Sequence, residues 1–264
     1  MATARDQPKL TVQLYKKSGD ERRQHNIDKT AGVDNDMVVV GGGAVAKWTE
    51  IGALLTGSYP TREMNGWTGS SKDHMHTHQH ELDVYALGLK VHGMTREELL
   101  NYMCVIVVTS PVCAHPEARA ELPPDYLVLG GGFKVDWKGY GNLATASFPS
   151  SLTSWTARSK DHEVSDPASL TVFAIGIRRH LRVGTVETHI QRVDSGRESH
   201  PSARATVQSG FTLTGGGSEV HWGGSGNMLW KLRPSEHGFS SGAKDHDVPD
   251  PATISVYSVA MRII

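Results

Sequence analysis

The tripeptide Lys160-Asp161-His162 is the most informative stretch of the sequence, because the chain contains it three times. The three copies are Lys72-Asp73-His74, Lys160-Asp161-His162 and Lys244-Asp245-His246. Each copy begins 29 to 31 residues after the first residue of a glycine triplet. The triplets occupy positions 41–43, 130–132 and 215–217.

The glycine triplets are 89 and 85 residues apart, which makes the similarity a property of the whole chain. A long internal period of this kind is a signal about the fold. The sequence therefore predicts three internal repeats of about 85 residues. The repeats are predicted at residues 9–94, 95–182 and 183–264.

Each repeat has the composition of a series of short strands. Apolar, aromatic and β-branched residues precede the glycines, as in Tyr126-Leu127-Val128-Leu129. The last apolar run of each repeat, such as residues 170–177, is apolar on both alternating faces, which is typical of a buried strand. Only residues 95–100 have a helical pattern, which begins with a Thr-x-x-Glu capping box. The sequence predicts an all-β fold.

The repeats are predicted to form one body, a single pseudo-threefold domain covering residues 1–264. No linker rich in Pro, Gly or Ser separates them. Three sheets around one axis, as in a β-prism, fit this pattern. Three small β-sandwich units, or a β-trefoil-like barrel, are the alternatives.

The glycine triplets precede a strand rather than a helix. A phosphate-binding loop needs a helix N-terminus directly after its glycines. The triplets therefore predict a β-bulge or a close backbone crossing instead.

Bulk properties exclude several classes of protein. A net charge of −1 gives no basic field for nucleic acid. No apolar run approaches the roughly 20 residues of a transmembrane helix, so we expect a soluble protein. The polar N-terminus lacks the apolar core of a secretory signal, which predicts a cytoplasmic protein or one exported without a visible signal peptide. Cys104 and Cys113 lie in one repeat only, which predicts free thiols.

The Lys-Asp-His blocks are the first candidates for function. Lysine donates, aspartate accepts and histidine can do either near neutral pH. This set suits a hydroxyl-rich ligand such as a glycan, and three copies favour multivalent binding over catalysis. The alternative is that the blocks are turn architecture, with Asp accepting from backbone N–H groups.

Two further sets of residues recur beside the blocks. One histidine lies 15 or 16 residues before each glycine triplet, and one tryptophan lies five residues after it. A histidine could complete a site with its own block, and a tryptophan could stack on a sugar ring or pack in the core. These additional candidate ligand-binding residues are His25, His115, His200, Trp48, Trp137 and Trp222.

The first repeat also contains alternating histidines, which predict a possible metal site. His76, His78, His80 and Glu81 supply ligands that Zn²⁺ or another divalent transition metal prefers. A solvated histidine-rich loop is the alternative. A second possible metal site would form if His74, His162 and His246 met at the pseudo-threefold axis.

The sequence therefore predicts a non-enzymatic, lectin-like protein with three related sites for a glycan or another polar ligand. A metal-dependent hydrolase that uses the histidine-rich stretch is the second hypothesis. A toxin-like or structural assembly module is the third.

Overall fold

The structure is a computed structural model, and it describes residues 9–19, 22–23, 26–48, 52–75 and 77–264. The prediction of an all-β fold is confirmed, because these residues form twenty strands in three sheets and one short helix. We use segment one, segment two and segment three for residues 9–94, 95–182 and 183–264.

The strands of segment one are β1 (Leu10–Lys17), β2 (Arg22–Arg23), β3 (Asn26–Gly32), β4 (Val38–Trp48), β5 (Leu54–Pro60), β6 (Gly66–Lys72) and β7 (Gln79–Val91). Segment two contains α1 (Arg96–Asn101), β8 (Met103–Thr109), β9 (Glu117–Glu121), β10 (Tyr126–Asp136), β11 (Asn142–Ser151), β12 (Ser154–Asp161), β13 (Ser169–Arg178) and β14 (His180–Leu181). Segment three contains β15 (Gly184–Asp194), β16 (Ser202–Thr206), β17 (Thr212–His221), β18 (Met228–Ser235), β19 (Gly238–Lys244) and β20 (Thr253–Ile263).

The helix begins as the sequence predicts. The Thr95 hydroxyl accepts a hydrogen bond from Glu98 N at 3.1 Å, and the Glu98 carboxylate accepts one from Thr95 N at 2.8 Å. The capping box is therefore confirmed. No described helix has the length and apolar character needed to cross a membrane.

Every sheet combines strands from two segments. The first sheet has the order β1-β7-β4-β18-β19-β16, with β2 beside β7. The second has the order β3-β6-β5-β10-β13-β8, and the third β14-β15-β20-β17-β11-β12-β9. The three segments are therefore not separate sheets, since each segment contributes three or four strands to each of two sheets.

The glycine triplets lie inside β4, β10 and β17, where they allow the backbones to approach one another. The pairing register shifts at the first glycine of each triplet, between Val39 and Gly41 for example. A Cβ on Gly41 would lie 2.9 Å from the Cα of Gly215, and one on Gly215 would lie 2.9 Å from the Cα of Gly130. The predicted bulge and close backbone crossing are both confirmed.

Aromatic rings cover the middle glycine of each triplet. Trp67 packs on Gly42, and Trp155 packs on Gly131. The indole N–H of Trp155 donates to Ser147 Oγ at 2.9 Å, so its polar atom is satisfied inside the core. These contacts explain why the core needs both the small glycine and the large ring.

Cys104 and Cys113 are free thiols, as the sequence predicts.

Candidate functional site

The three Lys-Asp-His blocks lie where β6, β12 and β19 end. The lysines and histidines are buried, with at most 1% of each residue exposed. They therefore do not form open surface patches, and their side chains contact other parts of the protein.

Two of the lysines, Lys72 and Lys160, connect their segment to the loop of the next. Lys160 Nζ donates to the carbonyl oxygens of Gly224 at 2.8 Å and Gly226 at 2.6 Å, and it lies 4.0 Å from the ring centroid of Trp222. Lys72 Nζ donates to the carbonyl of Tyr140 and lies 4.8 Å from the ring of Trp137. A cation over an indole face is favourable, and more so when it is desolvated.

Burial also changes the acidity of the lysines. It lowers the pKa of Lys72 and of Lys160 to about 8, although nearby aspartates oppose the effect. It lowers the pKa of Lys244 to about 7. Burial removes the ammonium groups from water and so disfavours their charged form, which explains the direction of the shift.

The imidazole rings of His74, His162 and His246 meet. Their ring centroids are 4.6 Å apart for His74 and His162, 5.3 Å for His162 and His246, and 5.6 Å for His74 and His246. The sequence raised this meeting as one possibility, and the structure shows the three rings in contact. We call them the histidine cluster.

One nitrogen of each ring in the histidine cluster faces a backbone carbonyl of another segment. The distances are 3.1 Å from His74 Nδ1 to Tyr140 O, 2.9 Å from His162 Nδ1 to Ser225 O, and 3.3 Å from His246 Nε2 to Gly52 O. The opposite nitrogens are buried and have no hydrogen-bond partner among the described residues. Burial lowers the pKa of His74 to about 4 and of His246 to about 2, so both are neutral at pH 7.

Two carboxylates border the histidine cluster. Glu163 and Asp247 directly follow His162 and His246, and their φ angles are 56° and 60°. His246 Nδ1 is 2.9 Å from Asp247 Oδ2, and His162 Nε2 is 3.8 Å from Glu163 Oε2. Val164 N donates to His162 O at 2.5 Å, which closes a γ-turn around Glu163. A left-handed backbone at an acidic residue is uncommon.

The aspartates of the blocks have a different partner in each segment. Asp161 Oδ1 lies 3.2 Å from Nε2 of His115, and Asp245 Oδ1 accepts from the side-chain amide of Asn227 at 3.0 Å. Asp73 Oδ2 accepts from His78 N at 2.6 Å. Burial raises the pKa of Asp73 to about 6, although the hydrogen bond from His78 opposes the effect.

A polar cleft of about 330 Å³ opens beside the histidine cluster, between segments two and three. Four predicted ligand-binding residues line it, together with Glu163 and the loop residues Gly224 and Ser225. His115 also contacts Trp222 edge-on, with ring centroids 5.5 Å apart. The four residues are His115, Lys160, Asp161 and Trp222.

Some predicted site residues lie apart from this cleft or outside the described residues. His200 is exposed and does not line the cleft. His25, His76 and the side chain of Trp48 lie outside the described part of the chain. Whether these residues share a site stays a prediction.

The described part of the histidine-rich stretch has protein partners. The buried His80 lies 3.1 Å from Ser71 Oγ through Nε2 and 3.5 Å from Asp73 Oδ1 through Nδ1. Lys47 forms an ion pair with Glu81 at 3.2 Å. Both ring nitrogens of His80 thus face protein oxygen atoms.

Sequence reasoning missed Glu163 and Asp247. The signal was present, since an acidic residue follows the histidine in two of the three blocks and Met75 follows it in the first. The carbonyl partners of the lysines and histidines could not be predicted. Every residue has a backbone carbonyl, so the sequence does not show which of them will accept.

No protein-family model matches the chain, and the comparison with curated proteins gave no match. Function must therefore be inferred from the site itself.

Proposed function

We propose that this protein is a non-enzymatic, lectin-like binding protein whose ligand is a glycan or another polar molecule. The cleft between segments two and three carries the proposal. It has the size of a small-molecule site, and four residues predicted for ligand binding line it.

The chemistry of the cleft suits hydroxyl groups. His115 and Glu163 retain exposed side-chain area, while Asp161 is held close to His115. Carboxylate and imidazole atoms can accept and donate to the same sugar diol. Lys160 already occupies one face of Trp222, so a sugar ring could stack only on the opposite face.

Two related clefts would follow from the same construction. Lys72 reaches the loop of segment two as Lys160 reaches the loop of segment three. We infer from this that the three segments are copies in one pseudo-threefold, β-prism-like domain. The contacts among the three first glycines and the sharing of each sheet by two segments support this architecture.

The binding proposal is tested on a glycan array, followed by calorimetric titration of the best-bound glycan. The variant His115→Ala removes an exposed group of the cleft. We expect it to weaken binding by about tenfold, the effect of one lost polar contact of about 1.4 kcal/mol. His237→Ala is the matched control, because that side chain is 83% exposed and lies outside the cleft.

Binding that is equal in wild type and His115→Ala would place the ligand elsewhere on the surface. An array without any bound glycan would overturn the glycan form of the proposal. The array is run with metal-stripped and with Zn²⁺-loaded protein, so that a need for metal is seen separately from a lack of binding.

A further inference from the structure

The histidine cluster leaves two buried nitrogen atoms unused. They are Nε2 of His74 and Nε2 of His162, and neither has a hydrogen-bond partner among residues the structure describes. The third inner nitrogen, Nδ1 of His246, faces Asp247 Oδ2 at 2.9 Å. Buried polar atoms are normally paired, so two unpaired atoms facing one cluster require an explanation.

The outer hydrogen bonds determine what the inner nitrogens can do. In a neutral imidazole one nitrogen carries the proton and the other carries a lone pair. Because the outer nitrogens of His74 and His162 donate to backbone carbonyls, the inner nitrogens of these two rings present lone pairs. Metal-binding histidines are held in this way, with the second ring nitrogen bonded to a carbonyl or carboxylate.

The spacing of the rings also fits a metal ion. Two imidazoles bound to one tetrahedral zinc ion, with Zn–N distances of about 2.0–2.1 Å, have ring centroids about 5 Å apart. The centroids of His74 and His162 are 4.6 Å apart.

Acidic side chains surround the histidine cluster. Glu163 and Asp247 border it, and Asp166 and Asp250 lie near Lys72 and Lys160. Ligand atoms of His74, His162 and Glu163 lie within 4.8 Å of one another, and so do those of His162, His246 and Asp247.

We propose that His74, His162 and Glu163 bind one divalent transition-metal ion of the Zn²⁺ type. The ion would join segments one and two, since each supplies one imidazole. This inference does not rest on the glycan-binding proposal, because the inner nitrogens point into the cluster rather than to a sugar.

The test uses full-length protein without a histidine tag. The protein is stripped with a chelator, loaded with Zn²⁺ or Co²⁺, desalted and examined by elemental analysis and visible absorption. We expect about one equivalent of metal and the ligand-field bands of tetrahedral Co²⁺. We also expect the melting temperature to rise by roughly 10 °C in excess Zn²⁺.

Two variants locate the metal. His162→Gln removes the residue shared by both ligand groups and should weaken Zn²⁺ binding by about 100-fold or more. Glu163→Gln combined with Asp247→Asn changes only partly exposed side chains and should weaken it by about tenfold. His237→Gln is the surface control, and His78→Gln tests the histidine-rich stretch; both should keep the metal.

Three outcomes would overturn the proposal. The first is wild-type protein that retains neither Zn²⁺ nor Co²⁺ after loading. The second is full metal retention in a folded His162→Gln variant. The third is loss of the metal in His78→Gln. If His162→Gln does not fold, the Co²⁺ spectrum of the wild type and the carboxylate variant still decide the question.

Discussion

Segment one and segment three hold the aspartate of their blocks in different ways. The stretches 72–82, 160–170 and 244–254 align without a gap, so His80 corresponds to Ala168 and Ala252. The stretches after the tryptophans align as well, so Ala53 corresponds to Asn142 and Asn227. Segment one thus has alanine where the other two segments have asparagine, and histidine where they have alanine.

The exchange preserves a polar partner for the aspartate. In segment three the Asn227 amide donates to Asp245 Oδ1 at 3.0 Å and to two backbone carbonyls. In segment one the His80 ring lies 3.5 Å from Asp73 Oδ1. His80 thus lies beside the aspartate of its own block, as Asn227 does in segment three, although Asp73 Oδ1 has no hydrogen-bond partner among the described residues.

The largest effect is expected at the first glycine of each triplet, where an added methyl group would meet backbone in all three segments. Gly130→Ala places a methyl group against the carbonyl of Val40, and backbone cannot move aside as a side chain can. We expect destabilisation of more than about 4 kcal/mol, or no folding. Denaturant unfolding monitored by circular dichroism measures it.

Gly41→Ala and Gly215→Ala should be as harmful as Gly130→Ala, because their added methyl groups would also meet backbone. Gly223→Ala is the matched control, since nothing lies within 4 Å of its added Cβ. If any one of the three variants folded well, the three glycines would not share the same requirement for a missing side chain.

Replacing the buried amide of segment three should have the next largest effect. Asn227→Ala removes an amide donor that three oxygen atoms share and should cost about 2–3 kcal/mol in the free energy of unfolding. Adding Ala252→His to this variant copies segment one and should recover about 1 kcal/mol. Thermal unfolding of the two single variants and the double variant forms a double-mutant cycle. Strictly additive changes in the free energy of unfolding would show that a histidine at position 252 does not take the place of the amide.

A smaller and pH-dependent effect is expected at residue 83. Asp83 pairs with Lys16 and Lys47, each at 2.9 Å, whereas segments two and three have Thr171 and Ser255 at this position. Burial alone would raise the pKa of Asp83, but hydrogen bonds from Lys16, Ser18 and Lys47 outweigh it and lower the pKa to about 2.

Because the folded pKa of Asp83 is depressed, its stabilisation is present above the unfolded pKa of about 3.9. It is lost as the pH falls through about 2. Asp83→Asn should therefore cost about 1–2 kcal/mol at pH 7 and much less near pH 2. Urea unfolding at both pH values measures the difference, and Thr171→Val should show no such dependence. An equal cost of Asp83→Asn at both pH values would contradict the assignment.

The smallest effect is expected at the residue after the first block. Met75 has the φ angle of 59° that Glu163 and Asp247 also adopt, and it is 41% exposed. Met75→Glu should change stability by less than about 0.5 kcal/mol. If the histidine cluster binds metal, the added carboxylate should tighten Zn²⁺ binding by about threefold. Competition titration with a zinc indicator measures it, and weaker binding would place the metal away from this turn.

Much of the local structure could be predicted because it depends on neighbouring residues. The capping box at Thr95 and the bulges at the glycines follow from the backbone requirements of a few adjacent positions. The meeting of His74, His162 and His246 was predicted only as one possibility, since it required the blocks to end at a common place. The cleft could not be predicted, because His115 and Trp222 come from different segments.

The sequence alone determined the spacing of the glycine triplets, the alternation of strands and turns, and the recurrence of lysine, aspartate and histidine. These are properties of residue type and order along the chain. Only the tertiary structure decided that the lysines and histidines are buried and that each segment holds the side chains of another. The physical reason is that the carbonyls of Tyr140, Gly224 and Ser225 hold them, and a carbonyl acts through its position in space.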